Sequence, residues 1–220
     1  MSDTAELARK VYLGLREDNL DPQDVVALAC ELLDWSHRTE AVLEVVERNP
    51  ADVSPAEMTA LARRILDDVD FDPGFDLAPE RLETLRAALR IVARDLATRE
   101  IQGEPEIEVL EDWFPVGAGV RLANGERLGW GGPVLPSMCD EPTTALANLA
   151  ILIQESLLER TWRVWPVCPR HDLGTHGSER DGAAVWWCAG DGGHTLAPIG
   201  ELSGAGRGRD ADTANHRRSR

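Results

Sequence analysis

The chain has 220 residues, of which 43% are hydrophobic and 28% charged, and a formal net charge of −16. That is chain enough for one large domain or two small ones with a buried core. The acidic balance repels phosphate backbones and anionic lipid headgroups, which makes nucleic acid and membrane surfaces poor partners for the body of the protein, and no run approaches the roughly 20 apolar residues needed to cross a bilayer.

The charge is unevenly spread. Residues 1–104 carry 12 basic and 23 acidic side chains, residues 105–204 carry 6 and 14, and residues 205–220 carry 5 and 2. The opening "MSDTAELARK" is polar and helical in pattern rather than a charged segment leading into an apolar core, so a cytoplasmic location is expected. Four scattered cysteines do not make a disulfide framework. Lys10 is the only lysine among many arginines, a bias that resembles high-GC bacterial coding sequence of the actinobacterial type.

The first hundred residues read as five helices. Leu7, Val11 and Leu15 line one face of the first. Asp21, Pro22 and Asp24 restart the chain as cap, first helical residue and first-turn acid. Val25, Leu28, Ala29, Leu32 and Leu33 then form the second stripe. Cys30, near Val26 and Leu33, is expected in the core. A third helix in "RTEAVLEVVERNP" closes at Asn49 and Pro50. "SPAE" is a capping-box start, with Met58, Leu61, Ile65 and Leu66 following on one side. Asp67, Asp68, Asp70, Asp72 and Asp76 lack the ligand spacing of a calcium loop and read as a solvated break. Pro73 and Gly74 turn the chain into the longest of these five helices, where Leu82, Leu85, Leu89, Val92 and Leu96 alternate spacings of three and four. An N-terminal helical bundle over 1–104 is expected.

Within it, "VVALACELLDWSHRTEAVLEVVERNP" resembles the effector-associated adaptor modules of bacterial conflict and signalling proteins. The features that carry the resemblance are an apolar helix ending near Trp35, a short linker, a second helix and the Asn49-Pro50 stop. It implies homotypic docking rather than catalysis.

Composition changes at "REIQGEPE", where Gly103 and Pro105 mark a junction, and six of the seven tryptophans lie beyond it. "EIEVLE" alternates as a half-buried strand does. Asn124-Gly125, between "VRL" and "RLGW", predicts a two-residue hairpin turn. "GWGGP" lacks the lysine of a phosphate-binding loop. "TTALANLAILIQESLLERTW" is a helix, with Leu146, Leu149, Ile153 and Leu157 on one face and Cys139 just ahead of it, beside two carboxylates that oppose thiolate formation.

The chemistry-bearing stretch is "WPVCPRHDLGTHGSERDGAAVWWCAGDGGHTL". Cys168-Pro-Arg-His171 has the two-residue gap that lets a tight turn aim two side chains at one metal ion. After sixteen intervening residues Cys188 begins a second, irregular half, in which Asp191 or His194 can supply a fourth donor. The glycines of "AGDGG" allow the curl that His194 needs, and His176 is a further candidate. The stretch from Trp165 to Leu202 resembles a degenerate zinc ribbon. That resemblance implies Zn2+ held by Cys168, His171, Cys188 and one of Asp191 or His194, or a metal-free hairpin packed by Trp162, Trp165, Trp186 and Trp187. A Cys168–Cys188 disulfide is disfavoured in a reducing compartment.

Cys168, His171 and Cys188 alone would leave an open coordination position, as in nucleobase deaminases. The His-x-Glu and Pro-Cys-x-x-Cys motifs of those enzymes are missing here, with Glu179 the nearest glutamate. The expected architecture is α+β: a helical bundle over 1–104, a mixed region over 105–204 with a hairpin, one helix and a ribbon-like part over 165–202, and a disordered, basic tail over 205–220. The expected function is a non-enzymatic intracellular adaptor, or protein-interaction module, with a structural zinc site. The alternative is a metal-dependent or thiol enzyme built on Cys168, His171 and Cys188.

Overall fold

The structure, a computed structural model, describes residues 3–99, 104–112, 116–129 and 132–202. The 205–220 segment expected to be disordered, and Gly103 at the expected junction, lie outside the described residues. The protein is α+β: among the described residues there are six α-helices, and small antiparallel sheets lie in the C-terminal part. The chain divides into two compact units, Met1–Leu77 and Ala78–Arg220.

The first unit holds four helices: α1 (Asp3–Arg16), α2 (Pro22–Asp34), α3 (Glu40–Glu47) and α4 (Pro55–Asp68). Side chains cap three of their starts. Asp21 accepts from the Gln23 amide, Thr39 from Val42 and Ser54 from Glu57. The carboxylate of Glu57 is engaged by Arg48 at 2.7 Å. Val11, Val25, Leu28, Val42, Leu61 and Ile65 form the centre of the core. Cys30 is exposed rather than buried in it. Val25, Leu28, Ala29 and Leu32 set the inward face of α2, and at ~100° per residue Cys30 lies about 200° round the helix from Leu28.

The second unit begins with α5 (Pro79–Leu96). The composition shift groups this helix with the N-terminal bundle and draws the boundary at 104/105. The compact units place it with the C-terminal elements, because its partners are α6 (Pro142–Thr161) and β1 (Glu106–Leu110). Its buried face is Leu85, Ala88, Leu89, Val92, Asp95 and Leu96. The α6 helix is buried nearly all round between Ala145 and Leu157, as befits a helix covered on several sides. It meets α5, the strand β3 (Arg127–Leu128) and the C-terminal sheet.

β1 pairs antiparallel with β2 (Gly117–Arg121), which pairs with β3. The β2–β3 turn is not the expected two-residue one. The Leu122 amide donates to Glu126 O, the loop is Ala123-Asn124-Gly125, and Gly125 at +84° is its one positive φ. The loop is therefore of the three-residue kind, which needs a left-handed residue only at its last position. Across this sheet Glu108 accepts from both Arg121 (2.6 Å) and Arg127 (2.5 Å).

The chain then makes a two-stranded hairpin of β4 (Val167–Cys168) and β5 (Leu173–Gly174), followed by a sheet of β6 (His176–Arg180), β7 (Ala183–Cys188) and β8 (His194–Pro198) in that order. The β6–β7 connection is the real two-residue turn. Arg180 faces Ala183, and both Asp181 (+51°) and Gly182 (+76°) have positive φ.

Candidate metal centre

Two hairpins present four donors. In the first, the strand β4 ends at Cys168, the chain turns through Pro169 and Arg170, and Asp172 donates its amide back to Cys168 O at 2.9 Å. That turn returns His171 to the side of Cys168. In the second, Cys188 closes β7 and His194 opens β8, and the two face each other directly in the strand register. The five residues between them curl tightly: the Gly193 amide donates to Gly190 O, and Asp191, Gly192 and Gly193 all have positive φ.

The donor atoms of Cys168, His171, Cys188 and His194 all lie within 4.8 Å of one another. Nδ1 of His171 is 3.2 Å from Cys188 Sγ and 3.9 Å from Cys168 Sγ, and Nε2 of His194 is 3.5 Å from Cys168 Sγ. Metal bonds of about 2.3 Å to sulfur and about 2.0–2.1 Å to nitrogen at tetrahedral angles place sulfur and nitrogen roughly 3.6 Å apart. The three separations bracket that value, so the spacing is that of a group able to hold a metal ion. Both sulfurs belong to fully buried residues, and the two imidazoles are half-buried with ring centroids 5.0 Å apart.

Burial pushes the Cys168 thiol up. The backbone amides of His171 and Arg170, the Cys188 thiol and the charge of Arg170 outweigh it, and hold Cys168 below its ordinary value. Amides aimed at the sulfur are what a ligand turn provides for a bound thiolate. The His171 ring is positioned by contact: a Cβ built on Gly190 would lie 2.5 Å from Nδ1. Its Nε2 is buried with no hydrogen-bond partner among the described residues.

Of the residues singled out from the sequence, Cys168, His171, Cys188 and His194 are brought together. Asp191 is exposed at the tip of the β7–β8 loop and His176 is exposed on β6, both outside the group. Glu179 lies on β6, where its carboxylate accepts from the Thr144 hydroxyl at 2.9 Å. Cys139 is buried in a short 3-10 turn, its Sγ 3.5 Å from Leu135 O. The acidic run from Asp67 to Asp76 is not part of the donor group. Its last member, Asp76, pairs with Arg9 at 2.8 Å.

The four tryptophans part company. Trp165 and Trp186 are fully buried and meet edge to face at 5.2 Å. Trp187 is half-buried, with the Arg180 guanidinium 4.6 Å from its ring centroid. Trp162 is 85% exposed. Two buried polar side chains that sequence reasoning passed over hold this part to the helices. Gln154 of α6 donates to Trp165 O and Thr175 O. Asp95 of α5 accepts from Trp186 Nε1 and from the amides of Gly200 and Leu202. The available signal was a polar residue inside an otherwise apolar stripe.

Comparison with protein families, with curated proteins and with solved structures gives no match for this chain. No helix among the described residues is long and apolar enough to cross a membrane. The four-donor cluster is a group that could hold a metal ion.

Proposed function

We propose that this protein is a non-enzymatic adaptor, or protein-interaction module, whose C-terminal part is stapled by a structural Zn2+ ion held by Cys168, His171, Cys188 and His194. The convergence of four donors, two of them fully buried sulfurs, carries this reading. A catalytic zinc keeps one position open for water and needs a base beside it, whereas a fourth protein donor closes the shell. Zinc suits a mixed set of two sulfurs and two nitrogens at tetrahedral spacing.

The energetic case is also one of structure. β4 and β5 have two residues each, and β6–β8 form a small sheet. Short strands of this kind gain much of their stability from metal, because binding to a site absent in the unfolded chain adds directly to folding free energy.

The test is metal content of the full chain by mass spectrometry, with Cys168→Ser and Cys188→Ser alongside. One zinc per chain, lost in both variants together with thermal stability, is expected. Zinc lost without change in stability would favour the enzyme built on Cys168, His171 and Cys188. No metal in protein prepared without chelator would sink the zinc reading.

A further inference from the structure

The donor cluster joins two cysteines from different hairpins, Cys168 at the end of β4 and Cys188 at the end of β7. Both are fully buried, and their sulfurs lie within 4.8 Å of each other. Two sulfurs that share a tetrahedral ion at bonds of about 2.3 Å stand roughly 3.8 Å apart. A disulfide needs about 2.05 Å, so each sulfur has to move by roughly 1 Å once no ion stands between them. A rotamer change of either side chain covers that distance. Of the other cysteines, Cys30 lies in the other compact unit and Cys139 lies outside the cluster. One ligand is held less firmly than is usual. A metal-bound histidine ordinarily donates its second ring N–H to a carboxylate or carbonyl, which fixes the ring. His171 offers Nδ1 to the cluster, and its Nε2 has no such partner among the described residues.

We propose that Cys168 and Cys188 are a redox switch: a peroxide oxidises the pair to a disulfide, and the ion they held is released. The release rests on reading the cluster as a zinc site. The step balances in atoms and electrons. One cysteine sulfur, as thiolate, attacks hydrogen peroxide; the O–O bond breaks, a sulfenic acid forms, and hydroxide leaves and takes a proton to become water. The second sulfur attacks the first; the S–O bond breaks, the S–S bond forms, and the second hydroxide leaves as water in the same way. Two thiolates, one hydrogen peroxide and two protons give one disulfide and two waters, and the sulfurs lose the two electrons that the peroxide gains. Thiolate is the form that binds metal, so the disulfide leaves the ion with the two imidazoles and it departs. Solvent reaches the half-buried imidazoles and not the buried cysteines. The peroxide therefore meets a sulfur when a histidine swings off the ion, and His171, without a partner for Nε2, is the one that swings. Where thiols are kept reduced the bond is disfavoured at rest, so its appearance reports the oxidant. The disulfide still ties the two hairpins together while both histidines are freed.

The experiment treats the full chain, loaded with zinc, with excess hydrogen peroxide. A chromophoric chelator follows free zinc, and peptide mass spectrometry follows cysteine bonding. Loss of one zinc per chain in step with a Cys168–Cys188 disulfide is expected, and dithiothreitol with added zinc restores the starting state. Cys30→Ser, which alters the exposed cysteine of the first unit, should respond as the wild type does. Zinc retained while Cys30 is oxidised overturns the switch and leaves the zinc reading standing. Sulfinic acid at Cys168 or Cys188 in place of the disulfide overturns it too, as does a bond to Cys30 or Cys139. A chain that never holds zinc yet closes the Cys168–Cys188 bond under peroxide upholds the cysteine pair and fails the zinc reading alone. A chain that holds no zinc and forms no such bond overturns both.

Discussion

Trp186 of β7 donates its indole Nε1–H to Asp95 of α5 at 2.7 Å, across 91 positions of chain. Asp95 is almost wholly buried and also receives the amides of Gly200 (2.6 Å) and Leu202 (2.8 Å). Trp186 stands two residues before Cys188, and residues two apart on a strand share a face. The clasp therefore fixes the same strand face from which the Cys188 thiol projects. Trp165, packed on Trp186, precedes Cys168 by three residues and is tied to α6 through Gln154. Each cysteine of the cluster thus follows a buried tryptophan anchored to a helix, which fixes the position of the two thiols within the fold.

Removing the clasp is predicted to be costly. Asp95→Ala leaves two buried donors and one part-buried donor without an acceptor, at roughly 1–3 kcal/mol per stranded buried group before relaxation. A net loss of about 3 kcal/mol in urea unfolding is expected. Trp186→Phe keeps most of the ring packing and removes one of the two donors to Asp95 Oδ2, the Gly200 amide remaining, so about half that loss follows. An Asp95→Ala variant within 0.5 kcal/mol or so of wild type, the usual range for surface changes, would show that the clasp holds nothing.

Gly190 offers a second test, on metal affinity. Its Cβ would meet His171 Nδ1 at 2.5 Å and Cγ at 2.7 Å, while at Gly192 nothing lies within 4 Å. Gly190→Ala should push the imidazole off its donor position and cut zinc affinity by roughly 10–100-fold, the usual effect of disturbing a residue that orients a ligand. Gly192→Ala strains a left-handed backbone, φ +82°, and touches no ligand. Competition with a chromophoric chelator should separate the two variants, and equal affinities would refute the steric argument.

The fourth donor can be identified with cobalt as a spectroscopic stand-in. His194→Ala removes a donor 3.5 Å from Cys168 Sγ and should convert the tetrahedral spectrum to one of higher coordination with water bound. Asp191→Asn and His176→Ala alter residues outside the cluster and should leave the spectrum unchanged. A spectral change in Asp191→Asn with none in His194→Ala would reverse the assignment.

The helical half was legible in the sequence because its signals are local. Ser54, Thr39 and Asp21 cap their own helices, and periodicity finds the faces led by Leu28 and Ile65. The domain boundary was not, since α5 has the same helical pattern whether its stripe meets α4 or α6. Cys30 shows the limit of apolar neighbours as a guide: it shares its side of α2 with Val26 and Leu33, which are only partly buried, and that side faces away from Leu28. Asn124-Gly125 specifies a turn but leaves its length open, because one positive φ serves a three-residue loop and two are needed for the shorter one. In the metal region the Cys168–His171 gap defines the first hairpin by itself. The choice between Asp191 and His194 depended on strand register across the β7–β8 loop, which spacing alone does not fix. Asp95 and Trp186 meet only in three dimensions, and no local pattern joins them.

Acid should find a distinct weak point in the β1–β3 sheet. The Arg127 guanidinium, with Arg121 beside it, holds the Glu108 carboxylate below its ordinary value against the opposing pull of burial. A depressed folded-state pKa adds stability above the unfolded value, about 4.3, and that stability is lost as pH falls through the lower folded value. Glu108→Gln cannot titrate there. The wild-type advantage over this variant should be full at neutral pH and shrink steadily below about pH 4.3. Parallel urea-unfolding curves from pH 7 to pH 3 check this, and a constant difference across that range would refute it.

Cutting the chain tests the division into units. A 78–220 fragment keeps Leu85, Leu89 and Val92 against α6 and retains the Asp95 acceptor. It should unfold cooperatively and bind one metal ion. A 105–220 fragment, cut where composition changes, loses all of these. It exposes the face of α6 that α5 covers and leaves Trp186 Nε1 and the Gly200 and Leu202 amides without their acceptor. Apolar burial at about 25 cal/mol per Å² is the main term opposing chain entropy, and losing a whole helix interface removes more of it than a small domain can spare. Near-ultraviolet circular dichroism of the two fragments distinguishes the cases: fixed tryptophan signals in the longer, none in the shorter. A folded, metal-binding 105–220 fragment would return α5 to the N-terminal helices.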